Sequence, residues 1–396
     1  MRVLSVTAQK PCSTGSGVYL TEVVRSLAKM GVSQAVVAGV TREDRVDMPE
    51  GVTVYPVYFS SEKLPYPVVG MSDEMPYTST RYRDMTEEMA GQFKAAFLEV
   101  LDEAIEKENP DIILCHHLYY LTALIRAHYP AKKVYGFCHN TDLRQMESIS
   151  FERNFIRQEI PKLDRIFALQ EAQKEKIKKI YPVSEKQMTV IGTGYNSEVF
   201  KKTGIKSSRK DGKIRMIFAG KITQKKGVKS LLRALNLLDY EKEKIQLILA
   251  GGAGNLVEYE EIKELADGCR YPVVFAGCVT QSRLAELYND CDIFVLPSMY
   301  EGLPLTVIES LACGDRVVMT KLEGIAEWLA DMVPDADIRY VLPPGMKGTD
   351  EPLEEELPEF ESRLAEALRE AIEEKDTKEC GVSRISWQKI AREVIR

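Results

Sequence analysis

The chain has 396 residues, of which 44% are hydrophobic and 29% charged. That composition suits two or three folded domains and excludes a disordered chain. Lys and Arg number 53 against 60 Asp and Glu, a net charge of −7. Neither half holds a basic excess, which argues against a nucleic-acid binder and against a cationic domain that grips lipid, and leaves local peripheral contact with a membrane open. The opening MRVLSVTA lacks the features of a secretory signal, and no apolar run reaches the roughly 18–20 residues of a membrane helix, so a cytoplasmic protein is expected. Eight cysteines, at 12, 115, 138, 269, 278, 291, 313 and 380, form no CxxC pair. They read as free thiols of a reducing compartment, not as a zinc or redox motif.

Short apolar runs alternate with amphipathic helical stretches along the chain. VLSVTA (3–8) leads into VYLTEVVRSLAKMG, a helix that Gly31 stops. QAVVAGV (34–40), VTVYPVYF (52–59), DIILCHH (111–117), KVYGFCHN (133–140), RIFALQ (165–170) and MTVIGTG (188–194) follow as strands. Their apolar residues fall on successive positions, as in strands buried on both faces. Residues 60–90, rich in Pro, Tyr, Ser and Met, read as a long loop or insertion. The polar stretch 201–213 reads as an interdomain linker. The alternation then restarts with IRMIFAG (214–220), IQLILAGG (245–252), PVVFAG (272–277), DIFVLPS (292–298) and RVVMT (316–320), each followed by a helix. The acidic segment 350–376 reads as a solvated surface helix.

The expected fold class is therefore α/β: two Rossmann-like, doubly wound parallel-sheet domains facing a cleft, with ligands at the carboxyl ends of the strands. The first spans 1–200 and the second 214–384, with the linker 201–213 between them. Function should lie in the loops that follow strands.

Seven such loops carry candidate chemistry. Gly15 and Gly17 sit at a helix start, where backbone can approach an anion, but the dinucleotide pattern fails because Leu20 stands where its third glycine belongs. His116, His117 and His139 end two strands, and imidazole can hydrogen-bond hydroxyl-rich ligands or move a proton near neutral pH; His128 stands apart. After IRMIFAG, Gly220 and Gly227 bracket Lys221, Lys225 and Lys226 at a helix start, a sensible diphosphate cradle that is not a P-loop. SMYEGLPLTVIES places Glu301 and Glu309 eight positions apart around Gly302, Leu303, Pro304 and Leu305. Backbone N–H groups at 302–305 suit phosphate oxygens. The two carboxylates suit sugar hydroxyls and should stand away from phosphate. Gly251 and Gly252 add a glycine cluster after another strand, and Cys278 and Val279 form the next loop. The Asp-x-Asp of NDCD (289–292) leads straight into a strand and reads as a helix end. No carboxylate or thiolate pattern completes a metal site around the histidines.

Taken together, these segments resemble a retaining GT-B fold glycosyltransferase of family 4, over nearly the whole chain. STGSGVYLTEVVRSLAKMG resembles the family's N-terminal loop and helix, and FAGKITQKKGVKSLLRAL its donor-phosphate segment. LPSMYEGLPLTVIESLACG resembles its E-x7-E signature, and WQKIAREVIR its C-terminal helix, which over 385–396 should cross back onto the first domain.

The resemblance implies a nucleotide-sugar donor, with UDP-hexose the commoner choice, no metal or other cofactor, and a glycan, lipid-linked or small-molecule acceptor. It implies that Lys221 and Lys226 meet the diphosphate, Glu309 the ribose, and Glu301 with Gly302 and Leu303 the transferred sugar and phosphates. His139 would stand beside the sugar, Gly15 and Gly17 would approach donor and acceptor, and Cys278–Val279 with Gly251–Gly252 would lie by the base. Tyr66, Tyr77 and Tyr82 in 60–90, with His116 and His117, are candidates for acceptor contact. Lys221 stands where the family usually has Arg and lacks the guanidinium fork. A nucleotide-sugar epimerase or hydrolase, or a non-catalytic sugar-nucleotide-binding subunit, are the alternatives on the same fold.

Overall fold

The computed structural model describes residues 1–11, 13–73, 75–209, 211–348, 351–374 and 381–396; Cys12 and Cys380 lie outside the described residues. The chain divides into two compact units, Met1–Gly194 with Trp387–Arg396, and Tyr195–Ser386.

The first unit is built on strands β1 (Arg2–Thr7), β2 (Ser33–Val40) and β3 (Thr53–Tyr58), a two-residue ladder of β4 (Val69–Gly70) with β5 (Thr80–Arg81), and then β6 (Ile112–His116), β7 (Lys133–Phe137), β8 (Arg165–Ala168) and β9 (Met188–Val190). Seven of them form one sheet in the order β3-β2-β1-β6-β7-β8-β9, every pair parallel. Its helices are α1 (Gly15–Lys29), α2 (Glu87–Glu108), α3 (Tyr120–His128), α4 (Thr141–Ser148), α5 (Arg153–Glu159) and α6 (Glu171–Ile180). All five residues of β6 are buried, and all of β2 after Ser33, which is why these strands read as unbroken apolar runs. Thr14 starts α1 by taking the Gly17 N–H at 3.1 Å on its hydroxyl.

Residues 60–90 are not a surface insertion. Leu64, Tyr66, Val68, Val69, Met71 and Tyr82 are buried in the core of this unit. Proline and serine broke the periodicity there without removing the apolar content.

The second unit repeats the plan with β10 (Ile214–Ala219), β11 (Ile245–Ala250), β12 (Val273–Gly277), β13 (Ile293–Leu296), β14 (Arg316–Thr320) and β15 (Ile338–Val341), in the parallel order β12-β11-β10-β13-β14-β15. Its helices are α7 (Ile205–Ser208), α8 (Val228–Asn236), α9 (Leu256–Asp267), α10 (Gln281–Asp290), α11 (Leu305–Ala312), α12 (Ile325–Met332) and α13 (Leu357–Glu373). A small antiparallel pair, β16 (Met346–Lys347) and β17 (Glu351–Pro352), precedes α13.

The acidic segment holding α13 is not simply solvated. Phe360, Leu364, Leu368 and Ala371 form a buried stripe at helical spacing, packed on α8, β14 and β15. The polar stretch 201–213 is tied to the second unit. Asn289 accepts from the Thr203 N–H at 2.8 Å, and Lys206 and Arg209 pair with Asp315 and Asp292. A last helix, α14 (Trp387–Val394), belongs to the first unit: it packs on α1, and Arg165 reaches Glu393 at 2.9 Å.

Candidate active site

In both sheets the strand order reverses beside the first strand of the unit, between β1 and β6 and between β10 and β13. In doubly wound sheets the loops leaving the strands on either side of such a reversal diverge, and ligands bind there. Gly15 and Gly17 follow β1, His117 follows β6, Lys221 and Lys226 follow β10 and Glu301 follows β13, whereas His139, Gly251–Gly252 and Cys278–Val279 follow the flanking strands β7, β11 and β12.

In the first unit the loops after β1, β6 and β7 converge. His117 Nε2 lies 3.1 Å from Ser16 Oγ, and Ser16 in turn donates to Gln9 Oε1 at 3.3 Å. His116 Nδ1 lies 3.0 Å from His139 Nε2, with the two rings 10° from parallel. His117 meets the His139 ring edge-on, 4.9 Å between centroids. Tyr19 packs edge-on against His139 and, at 4.9 Å, against Trp387.

His117 and Asn140 both have left-handed backbone, φ 74° and 73°. Such strain costs about 1–3 kcal/mol per residue and persists where the surroundings enforce it. The enforcing group is Asp142, fully buried in the first turn of α4. Its carboxylate accepts from the Leu118 N–H at 2.7 Å and the His139 N–H at 3.2 Å, joining the β6 and β7 loops.

Burial among apolar and imidazole neighbours pushes His116 and His117 well below their ordinary pKa, and burial pushes His139 down to about 3. All three rings are neutral near pH 7. They are hydrogen-bonding groups there, not cations.

In the second unit the loop after β10 is held on both sides. Gly220 N–H donates to Ala250 O at 2.9 Å and Ile222 N–H to Gly252 O at 3.0 Å, so the chain on either side of Lys221 is fixed. Lys225 O accepts from Met299 N–H at 2.9 Å, joining this loop to the one after β13. Lys226 Nζ lies 2.6 Å from Glu301 Oε1, both groups half-buried. Gly227 has φ 73°, and a Cβ there would overlap Pro297 O; a Cβ on Gly251 would overlap Gly220 O. These glycines are required by close backbone approach. Glu309, 6% exposed, lies on α11 one turn and more inside the helix whose N-terminus closes the β13 loop.

Several expectations change. Glu301, expected to stand away from phosphate, is paired with Lys226, the lysine expected to meet the diphosphate. Pro304, at the N-cap of α11, has no N–H to give a phosphate, so of 302–305 only its neighbours do. Tyr66 is committed to the core, its hydroxyl donating to Met89 O at 2.7 Å, and it is not available to an acceptor. Tyr77 lies under Lys10 Nζ, 5.0 Å from its ring centroid, and Lys10 is itself paired with Asp44 at 2.7 Å. Gly15 opens α1 with free space around it, and Gly17 is buried. Leu303 is buried, and Gly302 and Leu305 are half-buried beside it. Cys278 is exposed, next to half-buried Val279, and approaches Gly252 closely enough that a Cβ on that glycine would lie 2.8 Å from its sulfur. Among the described residues no three His, Cys, Asp or Glu side chains are arranged to hold a metal ion, and no helix is long and apolar enough to cross a membrane.

Residues 13–199 match the family model "Glycosyltransferase Family 4" and residues 200–379 the model "Glycosyl transferases group 1". The chain belongs to glycosyltransferase family 4, with the GT-B fold. An uncharacterized glycosyltransferase of Methanocaldococcus jannaschii is 29% identical over 172 residues, 41% of this chain and 44% of that protein. The chain thus matches less than half the length of that curated relative. A D-inositol 3-phosphate glycosyltransferase 2 of Catenulispora acidiphila is 25% identical over 347 residues, 80% of this chain and 76% of the relative. Among solved structures, Anabaena HepE in complex with UDP and glucose superposes with a TM-score of 0.63 at 15% identity, covering 100% of this chain and 98% of that one.

Around the candidate histidines this family 4 chain places further polar and aromatic side chains. Gln9, Ser16 and Tyr19 join the histidines, and Asp142 sets both histidine loops. A carboxylate two residues into a helix, three after a strand-ending histidine, was the available signal for Asp142. Nothing in the spacing marked Gln9.

Proposed function

We propose that the protein transfers a sugar, as a UDP-hexose, from its nucleotide diphosphate to an acceptor hydroxyl with retention of the α configuration and without a divalent metal. One observation carries this reading: Lys226 on the loop after β10 meets Glu301 on the loop after β13 at 2.6 Å, at the strand-order reversal of the second unit. That pairing holds an ammonium group ready for a diphosphate, with Glu301 taking sugar hydroxyls once the phosphate competes for the lysine. Lys221 and the N-terminus of α11 add positive potential for the departing diphosphate, and Glu309 takes the ribose hydroxyls. The base lies by Gly251, Gly252, Cys278 and Val279. HepE, which has the same fold, was solved with UDP and glucose, and that supports a uridine donor.

The chemistry then needs no strong base. With the acceptor attacking on the face the diphosphate leaves, the C–O bond to the diphosphate breaks and the new C–O bond forms at the same carbon. The departing oxygen takes the acceptor's proton. The neutral His139 beside the sugar orients it by hydrogen bonding, and Gly15 and Gly17 leave room for backbone to approach donor and acceptor. The acceptor class is a glycan, a lipid-linked sugar or a small molecule; His116 and His117, buried beside His139, are too enclosed to contact it.

The test is a panel of nucleotide sugars with products read by mass spectrometry. Attached sugar is expected, and free sugar or an epimer would replace transfer by hydrolysis or epimerisation. Lys226→Ala and Glu309→Ala should each lower kcat/KM by about 100-fold; native turnover in both would remove the site assignment.

A further inference from the structure

Four histidines occur in the chain, and two of them share one hydrogen bond at the first unit's strand-order reversal. We propose that His116 is a positioning residue that fixes the tautomer of His139, so that His139 offers an N–H donor from Nδ1 to its ligand. This rests on the reading that His139 faces the transferred sugar.

Two imidazoles 3.0 Å apart through Nδ1 of one and Nε2 of the other must place one proton between them. Burial keeps both rings neutral, so each carries a single N–H. Two arrangements exist. If His139 donates from Nε2, the His116 proton must sit on its own Nε2. That atom is buried, on a ring that stacks on Phe137 and meets Tyr19 edge-on, and has no hydrogen-bond partner among the described residues. A buried N–H would be orphaned, and orphaned buried donors are rarer than under-used acceptors. If His116 donates from Nδ1, its Nε2 is a bare lone pair and no N–H of that buried ring is left without an acceptor. His139 then carries its proton on Nδ1.

The surroundings hold this choice in place. Phe137 stacks on the His116 ring at 4.8 Å with 16° between planes, and the His139 N–H is fixed by Asp142. His116 and His117 are 4% and 5% exposed, whereas His139 keeps intermediate exposure. It is the ring of the three that a ligand can reach. Free imidazole favours the Nε2–H form, so an Nδ1–H on His139 needs an imposed partner, and His116 is that partner.

The experiment uses the whole chain with ¹⁵N-labelled histidine, and long-range ¹H–¹⁵N spectra to read which nitrogen of each ring is protonated. Four rings are assignable by single substitutions. Native protein should show His139 protonated on Nδ1. His116→Phe keeps the ring stack and removes the donor; His139 should move to Nε2–H, and kcat should fall about tenfold with donor KM within twofold. His116→Asn restores an N–H where Nδ1 stood and should recover the Nδ1–H form and kcat to within threefold of native. His116→Gln places its amide where Nε2 stood and should not.

Native His139 found as Nε2–H, or an unchanged tautomer in a folded His116→Phe, overturns the proposal. If His116→Phe does not fold, the Asn and Gln pair decides. If no nucleotide sugar turns over, or His139→Ala turns over at the native rate, the reading of the reaction or of His139 fails, and the tautomer spectra still judge the pairing.

Discussion

The two units share one topology and differ in the chemistry they place at the same point of it. In each, the sheet order reverses beside its first strand, and loops from both sides of the reversal are tied to each other. The first unit ties them with Ser16 and His117, neutral groups in an aromatic setting. The second ties them with Lys226 and Glu301 and a backbone bond from Met299 to Lys225. The sheet supplies a place, and the loop residues decide what the place can hold. A neutral, hydrogen-bonding crevice suits uncharged hydroxyl groups. A charged one with close-packed backbone suits a diphosphate.

The largest effect should come from breaking the close approach of backbone in the second unit. Gly227→Ala puts a Cβ into Pro297 O at a left-handed φ, and neither partner is a side chain that can turn away. A loss of about 3 kcal/mol or more is expected, with donor binding abolished. The two tryptophans make this readable, since Trp387 lies in the first unit and Trp328 in the second. In a Trp387→Phe background, urea unfolding followed by Trp328 fluorescence should show an early transition. A midpoint equal to the parent's would mean that the β10 loop yields without strain.

Acid should separate the units next. His139 has a folded pKa of about 3 against about 6.5 unfolded. The unfolded chain therefore binds more protons below pH 6.5, and the stability this group contributes above that pH is lost as pH falls toward 3. At pH 4.5 the loss is about 2–3 kcal/mol for His139 alone. His116 and His117 act in the same direction, and Asp142, whose carboxyl burial raises, offsets part of it. The second unit holds the opposite case. Asp315 is fully buried beside Lys206, and burial raises its pKa to about 7. Its contribution is present below the unfolded carboxylate range near 4 and is lost as pH rises through 7. Moving from pH 7.5 to 4.5 should lower the unfolding midpoint seen by Trp387 in Trp328→Phe more than that seen by Trp328 in Trp387→Phe. Equal shifts would mean the histidines are not buried neutral groups.

The same contrast explains what the sequence made legible. Strands buried on both faces announce themselves as apolar runs, so RVVMT emerges as Arg316–Thr320 without adjustment and the doubly wound plan follows. Elements that mix polar and apolar positions do not. The edge strand β15, DIRYVLPP in sequence, is half-buried and went unread. The buried stripe of α13 hides in an acidic composition, and residues 60–90 hide core side chains behind prolines. At the site, charge and spacing made Lys226, Glu301 and Glu309 visible, because a helix start and eight intervening positions are local facts. The Lys226–Glu301 pair was not visible, since 75 residues separate them and only the sheet order brings them together. Asp142 was missed for the same reason: its partners lie on two different loops.

The smallest effect concerns Lys221, where the family more often places arginine. The backbone on either side is pinned to Ala250 and Gly252, so a longer side chain starts from the same position. Lysine offers a compact, strongly hydrated charge; arginine offers two parallel N–H groups to two phosphate oxygens. If Lys221 meets the diphosphate, Lys221→Arg should lower the donor KM about threefold, roughly 0.6 kcal/mol, and change kcat less than twofold, because the added bond forms in ground and transition states alike. Initial rates over a donor series measure both constants. A lowered kcat with donor KM unchanged would place Lys221 in the charge that develops only as the diphosphate leaves, where a point charge outperforms a fork. Lys221 at the start of the loop after β10, and not Lys226 at its end, would then be the second unit's catalytic cation.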